Sequence, residues 1–126
     1  MTGVTYDTGM LLAAEASKPA AWALHRRALE RGVVPVVPAP VLAQAWRGGP
    51  QPMLSRLLLG CSVHAVDERP ARLAGRACAL ASTSDVVDAM VVVGALSRSD
   101  LVITSDLRDL TRLAAALGAR IALHRI

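Results

Sequence analysis

Val4-Thr5-Tyr6-Asp7-Thr8-Gly9-Met10-Leu11-Leu12-Ala13-Ala14-Glu15 is the stretch on which the fold turns. Its first three residues read as a short strand that ends at Asp7, and Thr8–Glu15 reads as a helix. A carboxylate therefore interrupts an apolar strand-to-helix junction close to the core. An unpaired buried carboxylate is costly, and a cation would resolve that cost.

The same strand-then-helix rhythm repeats along the chain. Lys18-Pro19 opens a helix over 20–31 that Gly32 closes. Val33-Val34-Pro35-Val36-Val37 is a β-branched second strand, and its Pro35 points to an edge position or irregular pairing. A helix from Pro38 and Pro40 runs to Trp46, which is expected to anchor in the core before Gly48-Gly49-Pro50 breaks the chain. A short helix follows over 51–59, then a strand over 62–66 and helices over 70–81 and 85–98. A strand over 101–104, a helix over 107–117 closed by Gly118 and a last strand over 120–124 complete the pattern. Strands separated by helices imply right-handed crossovers. The expectation is one domain, residues 1–126: a three-layer α/β/α sandwich around a mainly parallel sheet of four to five strands.

Composition narrows the function. Of 126 residues, 53% are hydrophobic and 19% charged, which supports a core and excludes wholesale disorder. Aromatics are 2% with no Phe, which argues against reading nucleic acid by stacking bases on an aromatic platform. The core must come from Leu, Val, Ala and Ile. Net charge is +4, carried almost wholly by Arg with Lys18 the lone lysine. Arg suits phosphate, although an Ala- and Arg-rich chain also follows from a GC-rich genome. Cys61 and Cys78 match no metal or redox spacing and read as small hydrophobes of a reducing compartment. The first residues lack a basic n-region and no apolar run reaches transmembrane length. A cytoplasmic protein without membrane association is expected.

The acids carry the chemistry. Ligands of open α/β sheets bind outside the carboxyl ends of the strands. Asp7 and Asp106 fall at such ends, while Asp85 and Asp88 flank the start of the long apolar helix. Carboxylates converging on one edge would offer hard oxygens to Mg²⁺ or Mn²⁺. Capping is the competing explanation. Asp85-Val86-Val87-Asp88 and Asp106-Leu107-Arg108-Asp109 are both Asp-x-x-Asp at a helix start, where the first acid caps and the second can serve a capping box. Each acid is worth roughly 0.3–1 kcal/mol there. No GxGxxG or P-loop is present, and Ser82, Ser84 and Ser105 lack a nucleophile-elbow context. His25, His64 and His124 have no ligand spacing, and Arg26-Arg27 reads as a solvated face. Receiver and haloacid-dehalogenase patterns fit less well, since each wants further acids at the first strand.

Four fragments together resemble the PIN-domain ribonucleases, in particular the VapC-type toxins of toxin–antitoxin pairs. They are Tyr6-Asp7-Thr8-Gly9-Met10-Leu11-Leu12, the segment 37–49 around Gln44 and Trp46, Thr83-Ser84-Asp85-Val86-Val87-Asp88-Ala89, and Ile103-Thr104-Ser105-Asp106-Leu107-Arg108-Asp109-Leu110. The resemblance spans nearly the whole chain. It implies a divalent-metal-dependent endoribonuclease that hydrolyses RNA phosphodiesters with Mg²⁺ or Mn²⁺. Asp7, Asp88 and Asp106 take the places of the first, third and fourth family acids, as catalytic and metal-binding residues. Asp85 and Asp109 are auxiliary candidates, and Thr8 and Thr104 would orient ligands or water. The family's second acid, a Glu, is replaced by Gln44, which can coordinate through its carbonyl oxygen but brings no charge and is a poor base. The resemblance also implies a VapB-type antitoxin partner and a homodimer. The alternative is a catalytically weakened PIN-like module that binds RNA or a protein without cleavage. Gln44 favours this alternative, and Asp7, Asp88 and Asp106 oppose it.

Overall fold

The structure, a computed structural model, describes residues 2–126, so Met1 of the expected domain lies outside the described residues. Its elements run β1 (Val4–Tyr6), α1 (Thr8–Glu15), α2 (Pro19–Glu30), β2 (Val36–Pro38), α3 (Ala39–Ala45) and α4 (Pro52–Leu58). β3 (Ser62–His64), α5 (Glu68–Ala81), α6 (Val86–Arg98), β4 (Leu101–Thr104), α7 (Leu107–Ala116) and β5 (Ala122–Arg125) follow. The five strands form one sheet in the order β3-β2-β1-β4-β5. All neighbouring pairs are parallel. Helices α2, α3 and α4 each pack against α1, and α5, α6 and α7 pack with one another, giving the α/β/α layering expected from the sequence.

The reason for each element is local. Val4, Thr5 and Tyr6 are buried throughout, as a central parallel strand requires. Asp7 then caps α1, its Oδ1 accepting from the Thr8 N–H at 2.8 Å. The core is built without Phe, from Met10, Leu11, Leu54, Leu57, Val91, Val92, Val102 and Leu110, all fully buried. Tyr6 reaches through this layer to His25 Nδ1 at 2.8 Å, so the buried phenol and imidazole satisfy each other. Cys61 and Cys78 are free thiols. Among the described residues no single helix is long and apolar enough to cross a membrane.

The structure corrects several boundaries. The second strand begins at Val36 rather than Val33, because Pro35 has no N–H for the ladder and contributes only its carbonyl, which accepts from Ser62 N at 2.8 Å. β2 lies between β3 and β1, so Pro35 marks irregular pairing, not a sheet edge. Helix α5 starts two residues before Pro70, since a first-turn residue needs no N–H partner. The third strand ends at His64, and the last runs to Arg125. Trp46 is 42% exposed and does not anchor in the core; as the extended residue ending α3 it leaves the packed layer.

Candidate functional site

Strand order sets the location. β2 and β3 lie on one side of β1, while β4 and β5 lie on the other. The carboxyl ends of β1 and β4 therefore flank the topological switch point, where a crevice opens in this architecture. β1 delivers Asp7 there, and β4 delivers Thr104 and Asp106. α6 and α7 begin with Asp85/Asp88 and Asp106/Asp109. Five of the chain's 10 acidic residues are thus carried by the ends of two strands and the starts of two helices.

Asp88, Asp106 and Asp109 each offer a carboxylate oxygen, and these oxygens lie within 4.8 Å of one another. Opposite ligands of an octahedral Mg²⁺ stand about 4.2 Å apart, so one small cation can reach all three with minor side-chain movement. Asp7 is not among these three. Its Oδ2 accepts from the Thr104 hydroxyl at 2.7 Å, and its Oδ1 is used in the α1 cap. The Thr104 oxygen in turn accepts from Asp106 N at 2.9 Å, so one fully buried hydroxyl ties the β1 acid to the β4 acid. Asp85 Oδ1 caps Asp88 N at 3.1 Å, and Asp106 Oδ1 caps Asp109 N at 3.3 Å. Capping and convergence coexist, because each cap occupies one oxygen of its carboxylate.

Electrostatics single out Asp88. It is 8% exposed, and its Oδ2 is buried with no hydrogen-bond partner. Burial, then the charges of Asp7, Asp85 and Asp106, push its pKa up to about 8. Asp7 is also raised, chiefly by burial, against the opposing pull of its Thr104 and Thr8 hydrogen bonds. An orphaned buried oxygen within a group of like charges fits a hard divalent cation, which would satisfy that oxygen and offset the repulsion. Asp85, Asp88 and Asp109 line a crevice of about 10 Å³ with Arg112, room for a single water-sized species.

Gln44, exposed on α3, meets the start of α1. The Thr8 hydroxyl donates to its Oε1 at 2.6 Å, which puts a neutral amide one residue along from Asp7. Two residues escaped the sequence reading. Arg112 lines the crevice, and its guanidinium donates to the Ala81 carbonyl at the end of α5. Nothing in its spacing distinguishes it from other surface arginines. Gly9 permits a close approach: a Cβ there would stand 2.2 Å from Ser105 Oγ and 3.0 Å from Ser105 N, where the β4–α7 loop presses on the first turn of α1. Its position two residues after Asp7 was the only signal.

The architecture is the PIN-like α/β/α sandwich, with acids at its switch point. Among solved structures, the chain is similar to VapBC2 from Rickettsia felis bound to a DNA fragment from their promoter. That match has 12% identity, a TM-score of 0.73 and coverage of 98% of both chains. DNA-bound VapBC from Salmonella typhimurium matches at 19% identity and TM-score 0.72, covering 99% of this chain and 98% of that one. PAE2754 from Pyrobaculum aerophilum matches at 18% identity and TM-score 0.61, covering 94% and 89%. At these identities the likeness establishes the fold. No protein-family model and no curated protein matches the sequence.

Proposed function

We propose that this protein is a divalent-cation-dependent endoribonuclease, the toxin of a VapBC-type pair. The reading is carried by the convergence of Asp88, Asp106 and Asp109 around a buried, unpartnered Asp88 Oδ2 at the switch point of a PIN-like sheet. The likeness to two VapBC structures supports the same reading. It brings with it a VapB-type antitoxin, a homodimer and a cytoplasmic setting as parts of the proposal.

Asp88, Asp106 and Asp109 would hold Mg²⁺ or Mn²⁺, with Asp7 linked to Asp106 through the Thr104 hydroxyl. The bound cation supplies Lewis acidity and charge neutralisation toward an RNA phosphodiester. The chain's own groups do the rest. Thr104 fixes the direction of the Asp7 carboxylate, and the caps from Asp85 and Asp106 fix the first turns of α6 and α7. Asp7 keeps spare lone pairs on both oxygens, and its raised pKa suits it to accept a proton from an attacking water. Gln44 can orient that region through Thr8 but cannot act as a base. That neutral amide favours a second reading, a PIN-like module that binds RNA or a protein without cleaving.

The test is cleavage of RNA with Mg²⁺ or Mn²⁺, with and without EDTA, by wild type, Asp7→Asn and Asp88→Asn. Cation-dependent cleavage that both variants lose supports the nuclease. Saturable RNA binding without cleavage by the wild type supports the second reading.

A further inference from the structure

Arg69, Arg72 and Arg76 follow one another along a single face of α5, three and four residues apart, and all are exposed. Beside them runs an open groove of about 840 Å³, floored by Leu73, Val93, Leu96 and Leu117 from α5, α6 and the end of α7. Leu73 is 43% exposed within it. Glu68 is the acid of this row, and Arg72 already engages it at 2.8 Å in a solvated ion pair. Among the described residues, Arg69 and Arg76 make no ion pair. The groove lies away from the acids: Leu96 stands eight residues beyond Asp88 on α6, about 12 Å along the axis.

We propose that this groove docks an acidic amphipathic segment of a partner protein, with Leu-like side chains entering the groove and Asp or Glu facing the arginine row. Charge complementarity over an apolar floor selects this occupant. An apolar strip flanked by uncompensated guanidinium groups matches a peptide with one apolar and one acidic face. A second copy of the chain fits poorly, because a two-fold contact sets the arginine row against itself with only Glu68 in between. RNA also fits poorly. Phosphate contacts need the arginines but not the floor, and the floor holds no aromatic ring on which a base could stack. The proposal stands apart from the nuclease reading, since the groove shares no residue with the acid cluster.

The test is fluorescence anisotropy on the full chain with a labelled synthetic amphipathic peptide of Glu and Leu. Controls are the same peptide with Lys for Glu, the same peptide with Ser for Leu, and a mixed-sequence single-stranded RNA in EDTA. The expected result is saturable binding of the acidic peptide alone. Binding should weaken at least tenfold in Arg69→Glu/Arg76→Glu, in Leu73→Ser, and on raising NaCl from low to high concentration. Circular dichroism shows whether the variants fold; these are exposed positions, so wild-type spectra are expected. Absence of binding, equal affinity for the Ser-substituted peptide, or equal affinity in the variants would overturn the proposal. So would light scattering that shows a wild-type dimer broken by Arg69→Glu/Arg76→Glu, which would assign the groove to a second copy. RNA affinity that falls in the same variants while peptide binding stays unchanged would assign it to nucleic acid.

Discussion

Asp88→Asn should stabilise the metal-free protein while removing its response to cations. In the wild type, the Asp88 carboxyl is buried, one oxygen lacks a partner, and its pKa is raised from 3.8 to about 8. An unfolded chain releases this proton near the ordinary value. Between those two values the folded protein binds more protons than the unfolded one, so its stability falls as pH rises. The contribution of Asp88 is complete below pH 3.8 and is lost as pH climbs through about 8. At about 1.4 kcal/mol for each tenfold in proton affinity, the cost at neutral pH has a ceiling of about 4 kcal/mol. Asn keeps the shape but leaves one amide group poorly partnered, at about 1–3 kcal/mol. The net gain expected near neutral pH is about 1–3 kcal/mol, growing toward pH 8, with none at pH 4. Urea unfolding in EDTA at pH 4, 6 and 8 reads this directly. The wild-type curve should slope downward relative to the variant, and Mg²⁺ should raise wild-type stability alone. Parallel pH profiles, or a variant less stable than wild type at pH 8, would mean that the Asp88 carboxylate carries no uncompensated burial cost.

Asp7→Asn should keep the fold, because Asn caps a helix about as well as Asp, yet lower cation-dependent cleavage by at least about a hundredfold; single-turnover kinetics with a thermal melt checks both halves. Gln44→Glu should tighten Mn²⁺ binding by about tenfold through one added negative charge near the site, and Asp85→Asn should weaken it, both measured by calorimetry. An unchanged affinity in Gln44→Glu would mean that the amide beside Thr8 does not sit where a fourth acid would act. Gly9→Ala should cost about 1–3 kcal/mol of stability by overpacking against Ser105, and a shorter side chain in Ser105→Gly should restore part of it in the double variant.

The sequence made the α/β layering and the placement of the acids legible, and the reason lies in particular residues. Val4–Tyr6 and Leu101–Thr104 are short, largely apolar runs followed within two residues by acids that cap helices. Periodicity and capping chemistry there point to the same boundary. β2 was less legible because its five-residue β-branched run includes two residues ahead of a proline, and sheet pairing rather than propensity decides which of them form a ladder. Trp46 misled because a large apolar ring normally signals burial, whereas here α3 ends before the ring can turn inward. In the site, strand-end position pointed to Asp7 and Asp106, and helix-start position to Asp85 and Asp88. Which oxygens converge was hidden, since Asp7 spends its contacts on Thr8 and Thr104 while Asp109, one turn into α7, faces Asp88 and Asp106. The Gly9–Ser105 approach and the Arg112–Ala81 contact are tertiary events with no local pattern to announce them.

If the acids at the switch point share one divalent cation, anomalous diffraction from crystals grown with Mn²⁺ shows a peak about 2.2 Å from an oxygen of Asp88 and from at least one of Asp106 and Asp109, absent in crystals of Asp88→Asn. A peak bound elsewhere on the chain, or none at a concentration that supports cleavage, would contradict a shared cation.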